Sequence, residues 1–152
     1  MERLMIVVPA YNEEEVLPKS LDILGEMIKR LVNQKLVAVG SKIVVVNDGS
    51  SDKTWEIIKK YHESNSEIAG INFSRNFGHQ NAIIGGLSAA VDYGDIFITI
   101  DADLQDDVEA IVSMLEARLK GFEIVYGARN NRETDTSFKK WTASAFYNIM
   151  KK

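Results

Sequence analysis

Short apolar runs rich in β-branched residues alternate with longer segments of helical periodicity, and this alternation constrains the fold more than any other feature. The apolar runs lie at residues 4–8, 42–47, 68–73, 95–100 and 122–127. Helical patterns occupy about 16–34, 53–63, 80–91, 108–120 and 137–151. The first four runs are almost continuously apolar, which is typical of strands buried on both faces. The pattern predicts an α/β fold with a mostly parallel, doubly wound sheet.

Length and composition indicate one domain. The chain has 152 residues, of which 45% are hydrophobic, and this is enough for a core of its own. No repeat, low-complexity segment or linker divides it, so we expect a single domain over residues 1–152. There is no cysteine, which excludes a disulfide framework and any Cys-based zinc or redox site.

The loops after the predicted strands are where a binding site is expected, because doubly wound sheets bind ligands beyond the carboxyl ends of their strands. In chain order these loops read PAYNEEE, NDGSSD, SRNFGHQ, DADLQDD and GARNNRE. Neither G-x-G-x-x-G after the first strand nor G-x-x-x-x-G-K-[ST] anywhere is present. The sequence therefore offers no dinucleotide or P-loop fingerprint that would hold phosphates by backbone amides.

Four carboxylates follow the fourth predicted strand, at Asp101, Asp103, Asp106 and Asp107. Asp106 or Asp107 is expected to cap the next helix, since Asp is a common N-cap residue. Asp101 and Asp103 are different, because residues two apart at a strand end point the same way and their charges repel. A divalent cation would relieve that repulsion. With the amide oxygen of Gln105, the pair offers the hard oxygen ligands that Mg²⁺ or Mn²⁺ takes from a protein.

Four motifs together carry a resemblance to a known family. VPAYNEE, VNDGSSDKT, DADLQ and YGARNNR follow the order and spacing of the family 2 glycosyltransferases of the GT-A fold. Within that family the chain most resembles the polyprenyl-phosphate and dolichol-phosphate sugar transferases, over essentially its whole length. The resemblance implies an inverting transfer of a sugar from a nucleotide diphosphate sugar, with a UDP-sugar expected, to a lipid phosphate. It also implies Mg²⁺ or Mn²⁺ as cofactor.

The resemblance further implies roles for individual residues of this chain. The residues expected to bind the donor nucleotide are Pro9, Ala10, Tyr11, Asn12, Glu13 and Asp48. The expected metal ligands are Asp101, Asp103 and Gln105. The residues expected to act in catalysis are Asp101, Asp103, Arg129 and Arg132, and further substrate contacts are expected from Arg75, Gln80, Asp101, Ala102, Arg129 and Lys139. Asp48 would lie on the polar edge of the base, because a carboxylate suits an imide N–H such as that of uracil.

Three other polar residues in these loops are expected to be structural or are left open. Asp52 is expected to cap the helix that follows the second loop. His79 is expected to be a hydrogen-bonded loop residue rather than a ligand. Asn47 stands where family members often carry a second Asp, so its own contact stays open.

The end of the sequence is basic although the whole chain has a net charge of -4. From residue 129 to 152 there are six basic and two acidic residues. Such a segment is often a solvated helix face, but it also suits phosphates. Apolar residues recur at helical spacing over 137–151, as in a helix that covers a sheet or rests on a membrane. We expect a lipid phosphate acceptor, a membrane surface at its cytoplasmic face and no nucleic acid partner, and we leave homo-oligomerisation open.

Three alternatives to a lipid phosphate transferase stay open. The acceptor of a family 2 enzyme can instead be a saccharide hydroxyl. ITIDADLQ also resembles the first motif of haloacid-dehalogenase-type phosphatases, although that family has Thr or Val where this chain has Gln105. A phospho-accepting receiver domain would carry a Lys after the fifth strand, where this chain leads to Arg129.

The length of the chain also differs from that of complete family members. Enzymes of this type usually continue past the catalytic domain into further amphipathic and transmembrane helices. We therefore expect residues 1–152 to be a truncated part of a longer membrane-associated enzyme, with part of the acceptor site missing.

Overall fold

A computed structural model describes residues 1–105 and 107–127 of the chain. The strands in that part are β1 (Leu4–Ala10), β2 (Lys42–Asn47), β3 (Ile68–Asn72) and β4 (Ile96–Thr99). The helices are α1 (Leu17–Asn33), α2 (Thr54–Ser64), α3 (His79–Ala90) and α4 (Ala110–Leu119). Strands and helices alternate along the described residues, as the sequence predicts.

The strands form one parallel sheet in the order β3-β2-β1-β4. On one side of β1 the register with β2 runs from Met5 opposite Lys42 to Ala10 opposite Asn47. On its other side β1 pairs with β4, beginning with Leu4 opposite Ile96. The chain thus moves outward from β1 to β3 and then returns to place β4 beside β1. This reversal is the feature of a doubly wound sheet that creates a ligand crevice between two strand ends.

Helices cover both faces of the sheet. Alternate side chains of β1 point to opposite faces, because successive residues of a strand do so. Leu4, Ile6 and Val8 pack in a core with residues of α1, α2 and α4. Met5 and Val7 pack on the other face in a second, smaller core with residues of α3. The sequence of β1 is therefore almost continuously apolar because the strand is buried on both faces, as predicted.

For β3 and β4 the prediction of a strand is right, but the prediction of burial on both faces is wrong. Every residue of β1 is buried, and so is almost every residue of β2, whereas β3 and β4 are mostly half-buried or exposed. The strand order explains the difference, since β3 and β4 lie at the two edges of the described sheet. An apolar run alone does not reveal whether a strand is central or at an edge.

The predicted fifth strand is wrong for the described residues, because 122–127 form no strand. Ile124 and Tyr126 are 87% and 84% exposed, so this segment buries little of its apolar surface. An apolar run gains strand stability by pairing and burial, and among the described residues this one pairs with no strand and stays mostly exposed. The helix predicted over 137–151 lies outside the described residues.

Within the part of the chain that the structure describes, none of the helices combines the length and apolar character needed to cross a bilayer.

Candidate active site

A cavity of about 300 Å³ lies at the carboxyl ends of β1, β2 and β4. It opens where the strand order reverses, which is where ligands bind in sheets of this kind. Loops from all three strands and the first residue of α3 line it: Pro9, Ala10, Tyr11, Glu13, Asp48, His79, Asp101, Ala102 and Asp103. The structure thus brings together most of the site residues that the sequence predicts, and adds His79.

A larger groove of about 520 Å³ lies elsewhere, between α1 and the start of α4. Its wall is largely apolar, with Ile23, Met27 and Val108. Beside them Arg30 Nη2 donates to both carboxylate oxygens of Glu109, each at 2.7 Å. Its described lining residues come from α1 and from the two residues before α4, and none of them is at the end of a strand. The smaller cavity is therefore the better candidate, because the polar loops of the sheet meet there.

The loops after β1 and β2 are joined by hydrogen bonds from backbone to side chain. The N–H of Asn12 donates to Ser50 Oγ at 3.0 Å, and the N–H of Glu13 donates to Thr54 Oγ1 at 2.9 Å. Asn12 Oδ1 accepts the N–H of Ser51 at 2.8 Å. Asn12 has a φ of 54°, a left-handed conformation that Asn tolerates better than most residues. Its side chain therefore braces the two loops and does not line the cavity.

Asp52 stabilises the same pair of loops and the start of α2. Its Oδ1 accepts the N–H of Thr54 at 2.9 Å, and its Oδ2 accepts the N–H of Glu14 at 3.0 Å. Burial acts to raise the pKa of Asp52, but hydrogen bonds from Thr54 and Glu14 outweigh it and hold the pKa below its usual value. The prediction that Asp52 is the N-cap residue is wrong by one position, because Lys53 is the N-cap of α2 and has no side-chain cap hydrogen bond. Asp52 lies one residue earlier and binds the first N–H of α2 and the first loop.

Asp48 is a buried carboxylate that anchors the loop after β3. It is 2% exposed, and its two oxygens accept the N–H groups of Phe77 at 2.7 Å and Gly78 at 2.9 Å. Each carboxylate oxygen can accept more than one hydrogen bond, so Asp48 keeps acceptor capacity toward the cavity that it lines. Its contact with a nucleobase stays a prediction.

The loop after β3 also touches the turn after β2. Gly49 has a φ of 67°, and a Cβ built on it would lie 2.2 Å from the backbone carbon of Arg75. Glycine is the residue that fits this close approach. The Arg75 guanidinium lies 4.6 Å from the centre of the Phe77 ring, a cation–π contact. Arg75 and the exposed Gln80 do not line the cavity, so their substrate contacts stay predictions.

Asp101, Ala102 and Asp103 form a tight turn beyond β4. The N–H of Leu104 donates to Asp101 O at 3.1 Å, and the N–H of Gln105 donates to Asp103 Oδ1 at 3.2 Å. Both carboxylates are exposed and line the cavity, whereas the buried Ala102 packs in the core. Gln105 is exposed but does not line the cavity, so its role as a third metal ligand stays a prediction.

Negative charge accumulates in the cavity. The pKa of Glu13 is raised, first by burial and then by the charges of Asp103, Asp52 and Asp101. Within the described residues no Lys or Arg forms an ion pair with Glu13, Asp101 or Asp103. The imidazole of His79 approaches them there, with its Nε2 3.5 Å from Asp101 Oδ1. Such a cavity attracts cations.

The donor set fits a cation that shares its coordination with a substrate. The described residues contain no cluster of three or more His, Cys, Asp or Glu side chains arranged to hold a metal ion. Mg²⁺, however, usually takes only one or two carboxylates from a protein and keeps water or phosphate oxygens in its other positions, and Mn²⁺ prefers the same oxygen ligands. Asp101 and Asp103 fit that requirement.

His79 lines the cavity, whereas the sequence analysis expected a hydrogen-bonded loop residue rather than a ligand. It follows Gly78, whose φ is 94°, and it is the first residue of α3. Its position in the loop after β3 could have indicated this, because ligands bind beyond the carboxyl ends of strands in such sheets. Arg129, Arg132 and Lys139 lie outside the described residues, as does Asp106, so their roles stay predictions.

The parallel sheet with helices on both faces is an α/β fold whose structural neighbours are glycosyltransferases of the GT-A class. The mannosyltransferase PcManGT from Pyrobaculum calidifontis, in complex with GDP-Man and Mn²⁺, matches with a TM-score of 0.54 and 25% identity. The match covers 67% of this chain and 28% of that chain. The sequence model of glycosyl transferase family 2 matches residues 5–152, and the chain belongs to that family.

Two relatives illustrate the similarity in sequence. The uncharacterized glycosyltransferase YkoT of Bacillus subtilis (strain 168) is 45% identical over 98% of this chain and 44% of its own length. The bactoprenol glucosyl transferase of Shigella phage SfV is 37% identical over 99% of this chain and 46% of its own length. The chain therefore spans less than half the length of these relatives.

Proposed function

We propose that this chain is the catalytic domain of an enzyme that transfers a sugar, with inversion, from a nucleotide diphosphate sugar to a polyprenyl or dolichyl phosphate. The observation that carries the proposal is the convergence of Asp101 and Asp103 with the loop after β1 and with Asp48 in one cavity. Family membership supports the class of reaction, and the bactoprenol glucosyl transferases among the relatives support the acceptor. The reaction would take place at the cytoplasmic face of a membrane.

The donor nucleotide would bind against Pro9, Ala10 and Tyr11. Pro9 and Ala10 are buried, and Tyr11 is 47% exposed, which leaves part of its ring free to contact a base or ribose. Asp48 would accept an N–H from the base, and its two bonds to the next loop hold it in place for this role. Because a carboxylate can only accept, a uracil imide suits it, and a UDP-sugar is the donor we propose.

Asp101 and Asp103 would hold Mg²⁺ or Mn²⁺ against the donor diphosphate. A bound cation supplies charge neutralisation for the nucleoside diphosphate as it leaves. The presence of Mn²⁺ with GDP-Man in the similar mannosyltransferase supports this cofactor. The two carboxylates would then hold the diphosphate through the cation, while the loop after β1 would hold the nucleoside.

Calorimetry of UDP binding tests the proposal. In the presence of Mn²⁺ we expect binding that falls at least about tenfold when EDTA is added, as the diphosphate loses its main electrostatic partner. Asp103→Asn should remove most of that metal dependence while the fold survives. Asp107→Asn is the matched control, because Asp107 is also exposed but accepts the N–H of Glu109 outside the cavity. Equal UDP affinity with and without EDTA in the wild-type chain would overturn the metal assignment.

A further inference from the structure

We propose that Ser20 is a positioning residue for the turn that carries Asp101 and Asp103. Its hydroxyl fixes the carbonyl group that lies between the two carboxylates. This inference rests on the proposed function for the role of those carboxylates, but the hydrogen bond and its effect on the turn do not depend on that role.

The hydrogen bond joins two distant parts of the chain. Ser20 lies in the first turn of α1 and is 4% exposed. Its Oγ lies 2.6 Å from Ala102 O and 3.1 Å from Val16 O. Val16 O already accepts the backbone N–H of Ser20 at 3.2 Å. Since a hydroxyl has one proton to donate, the shorter bond to Ala102 is the one that the geometry favours.

The turn needs this bond because its backbone is buried and strained. Ala102 is 3% exposed, and a buried carbonyl without a donor is unfavourable. Leu104 has a φ of 47°, a left-handed conformation that a branched residue rarely adopts. Such a conformation persists only where surrounding contacts hold it. The Ser20 hydroxyl is one of these contacts, and it acts on the peptide group between the two carboxylates.

The same helix connects the turn to the loop that follows β1. The N–H of Leu17 at the start of α1 donates to Glu13 O at 2.9 Å, and Glu13 lines the cavity. Ser20 is one helical turn further along α1. The helix therefore holds the predicted nucleotide loop at one point and the predicted metal turn at another. Ser20 provides the second of these contacts.

Ser20→Ala tests the inference, with Ser41→Ala as the matched control. Ser41 is also buried, at 1% exposure, and its Oγ donates to Ala38 O at 2.8 Å and accepts the N–H of Leu4 at 2.9 Å. It lies at the amino ends of β1 and β2, away from the cavity. Ser20→Thr is the conservative variant, because it keeps the hydroxyl. Alanine is a good helix former, so Ser20→Ala should leave α1 intact.

Two measurements on the purified chain decide the matter. The first is amide exchange of Leu104 and Gln105 by NMR without any ligand, which should be about three- to tenfold faster in Ser20→Ala, the equivalent of one lost hydrogen bond. The second is Mn²⁺ affinity at saturating UDP, which should fall by a similar factor. Ser20→Thr should restore both values toward wild type. Ser41→Ala should lower the thermal midpoint and change neither.

The outcomes separate this inference from the proposed function. If the wild-type chain binds no Mn²⁺, the proposed function fails, but the exchange of the two amides still shows whether Ser20 holds the turn. Unchanged amide exchange in Ser20→Ala would overturn the inference. So would an equal loss of Mn²⁺ affinity in Ser41→Ala, because the effect would then be one of general stability.

Discussion

The carboxylate of Asp48 accepts the backbone N–H of Gly78 at 2.9 Å, so a buried charge at the end of β2 fixes the residue directly before α3. A second bond, from Phe77 at 2.7 Å, prevents the carboxylate from turning. His79 follows at once and faces Asp101 across the cavity at 3.5 Å. Asp48 therefore anchors the loop that leads His79 to the wall of the cavity.

Asp48→Ala should lower the free energy of unfolding by about 2–4 kcal/mol. The substitution removes two hydrogen bonds to a carboxylate and leaves the N–H groups of Phe77 and Gly78 without their acceptor. Urea denaturation at neutral pH measures this change. Asp95→Ala is the control, since Asp95 accepts the N–H of Arg3 at 2.8 Å at an exposed site. Its loss should stay below about 1 kcal/mol. Equal losses in the two variants would show that the burial of Asp48 contributes nothing.

The same variant should also weaken UDP binding, by about 1–3 kcal/mol if the base donates to Asp48. Calorimetry below the unfolding transition measures this affinity. Unchanged affinity would assign Asp48 to the loop alone and remove it from the nucleotide site.

Gly49→Ala should be one of the most destabilising substitutions in the chain, at about 3 kcal/mol or more. The new Cβ would meet the backbone of Arg75 at 2.2 Å, and backbone cannot move aside as a flexible side chain can. Gly121→Ala separates this clash from conformational strain. Gly121 has a φ of 97° with nothing within 4 Å of a built Cβ, so only the strain applies there, about 1–2 kcal/mol. Thermal unfolding measures the midpoints of both variants. Similar midpoints would show that the contact with the Arg75 backbone adds no destabilisation.

Much of the fold and of the site could be predicted because both follow from local patterns. The period of apolar residues identifies β1 and α1, and the rule that ligands bind beyond strand ends places Asp101 with Ala10 and Asp48. Such features can be predicted without knowing which residues distant in sequence are in contact. The sequence therefore identifies the strand ends that form the cavity.

The remaining features depend on contacts between distant residues. The segment 122–127 has the composition of a strand, but pairing decides whether one forms. His79 looks like an ordinary loop histidine until α3 starts at it and turns it toward Asp101. The bond from Ser20 to Ala102 spans 82 positions and has no signature in either segment. The hydrogen bond between Asn12 and the loop after β2 is of the same kind, and the nucleotide contact of Asn12 stays a prediction.

Glu13→Gln should change the pH dependence of stability in a definite direction. The pKa of Glu13 is raised in the folded state, so its ionised form disfavours folding. This unfavourable contribution is absent below the ordinary value of 4.5 and is fully present above the raised folded-state pKa. The wild-type chain should therefore lose stability relative to Glu13→Gln as pH rises through that interval. The difference should stay below about 1 kcal/mol, because solvent screens a partly exposed group.

Thermal midpoints of both chains between pH 4 and pH 8 check this prediction. Glu56→Gln is the control, since Glu56 lies in the first turn of α2 and is exposed. Added Mg²⁺ should reduce the difference between Glu13→Gln and wild type if it binds at Asp103. If the wild-type chain instead gained stability relative to Glu13→Gln as the pH rises, the predicted direction of the pH dependence would be wrong.

The final prediction concerns the acceptor and follows from charge. A sugar or protein hydroxyl would need a positioned base to take its proton, and general-base catalysis typically supplies about a hundredfold or more. A phosphate monoester needs none, because its second pKa is about 6 and it is largely a dianion at neutral pH. The carboxylates that follow residue 127 are Glu133 and Asp135, among a larger number of basic residues. Cations there would attract a lipid phosphate at an anionic membrane surface.

Glu133→Gln and Asp135→Asn should therefore keep most of the rate of sugar transfer to polyprenyl phosphate, whereas Arg132→Ala combined with Lys139→Ala should lose at least about tenfold. Lys151→Ala combined with Lys152→Ala removes the same charge at the end of the sequence and is the matched control. Thin-layer chromatography of lipid-linked product, formed in membranes with labelled nucleotide sugar, gives the rates. A large loss in either carboxylate variant, with the Arg132 and Lys139 double variant unaffected, would indicate base-assisted transfer to a hydroxyl. The acceptor would then be a saccharide, and the positive charge of this segment would have no part in binding it.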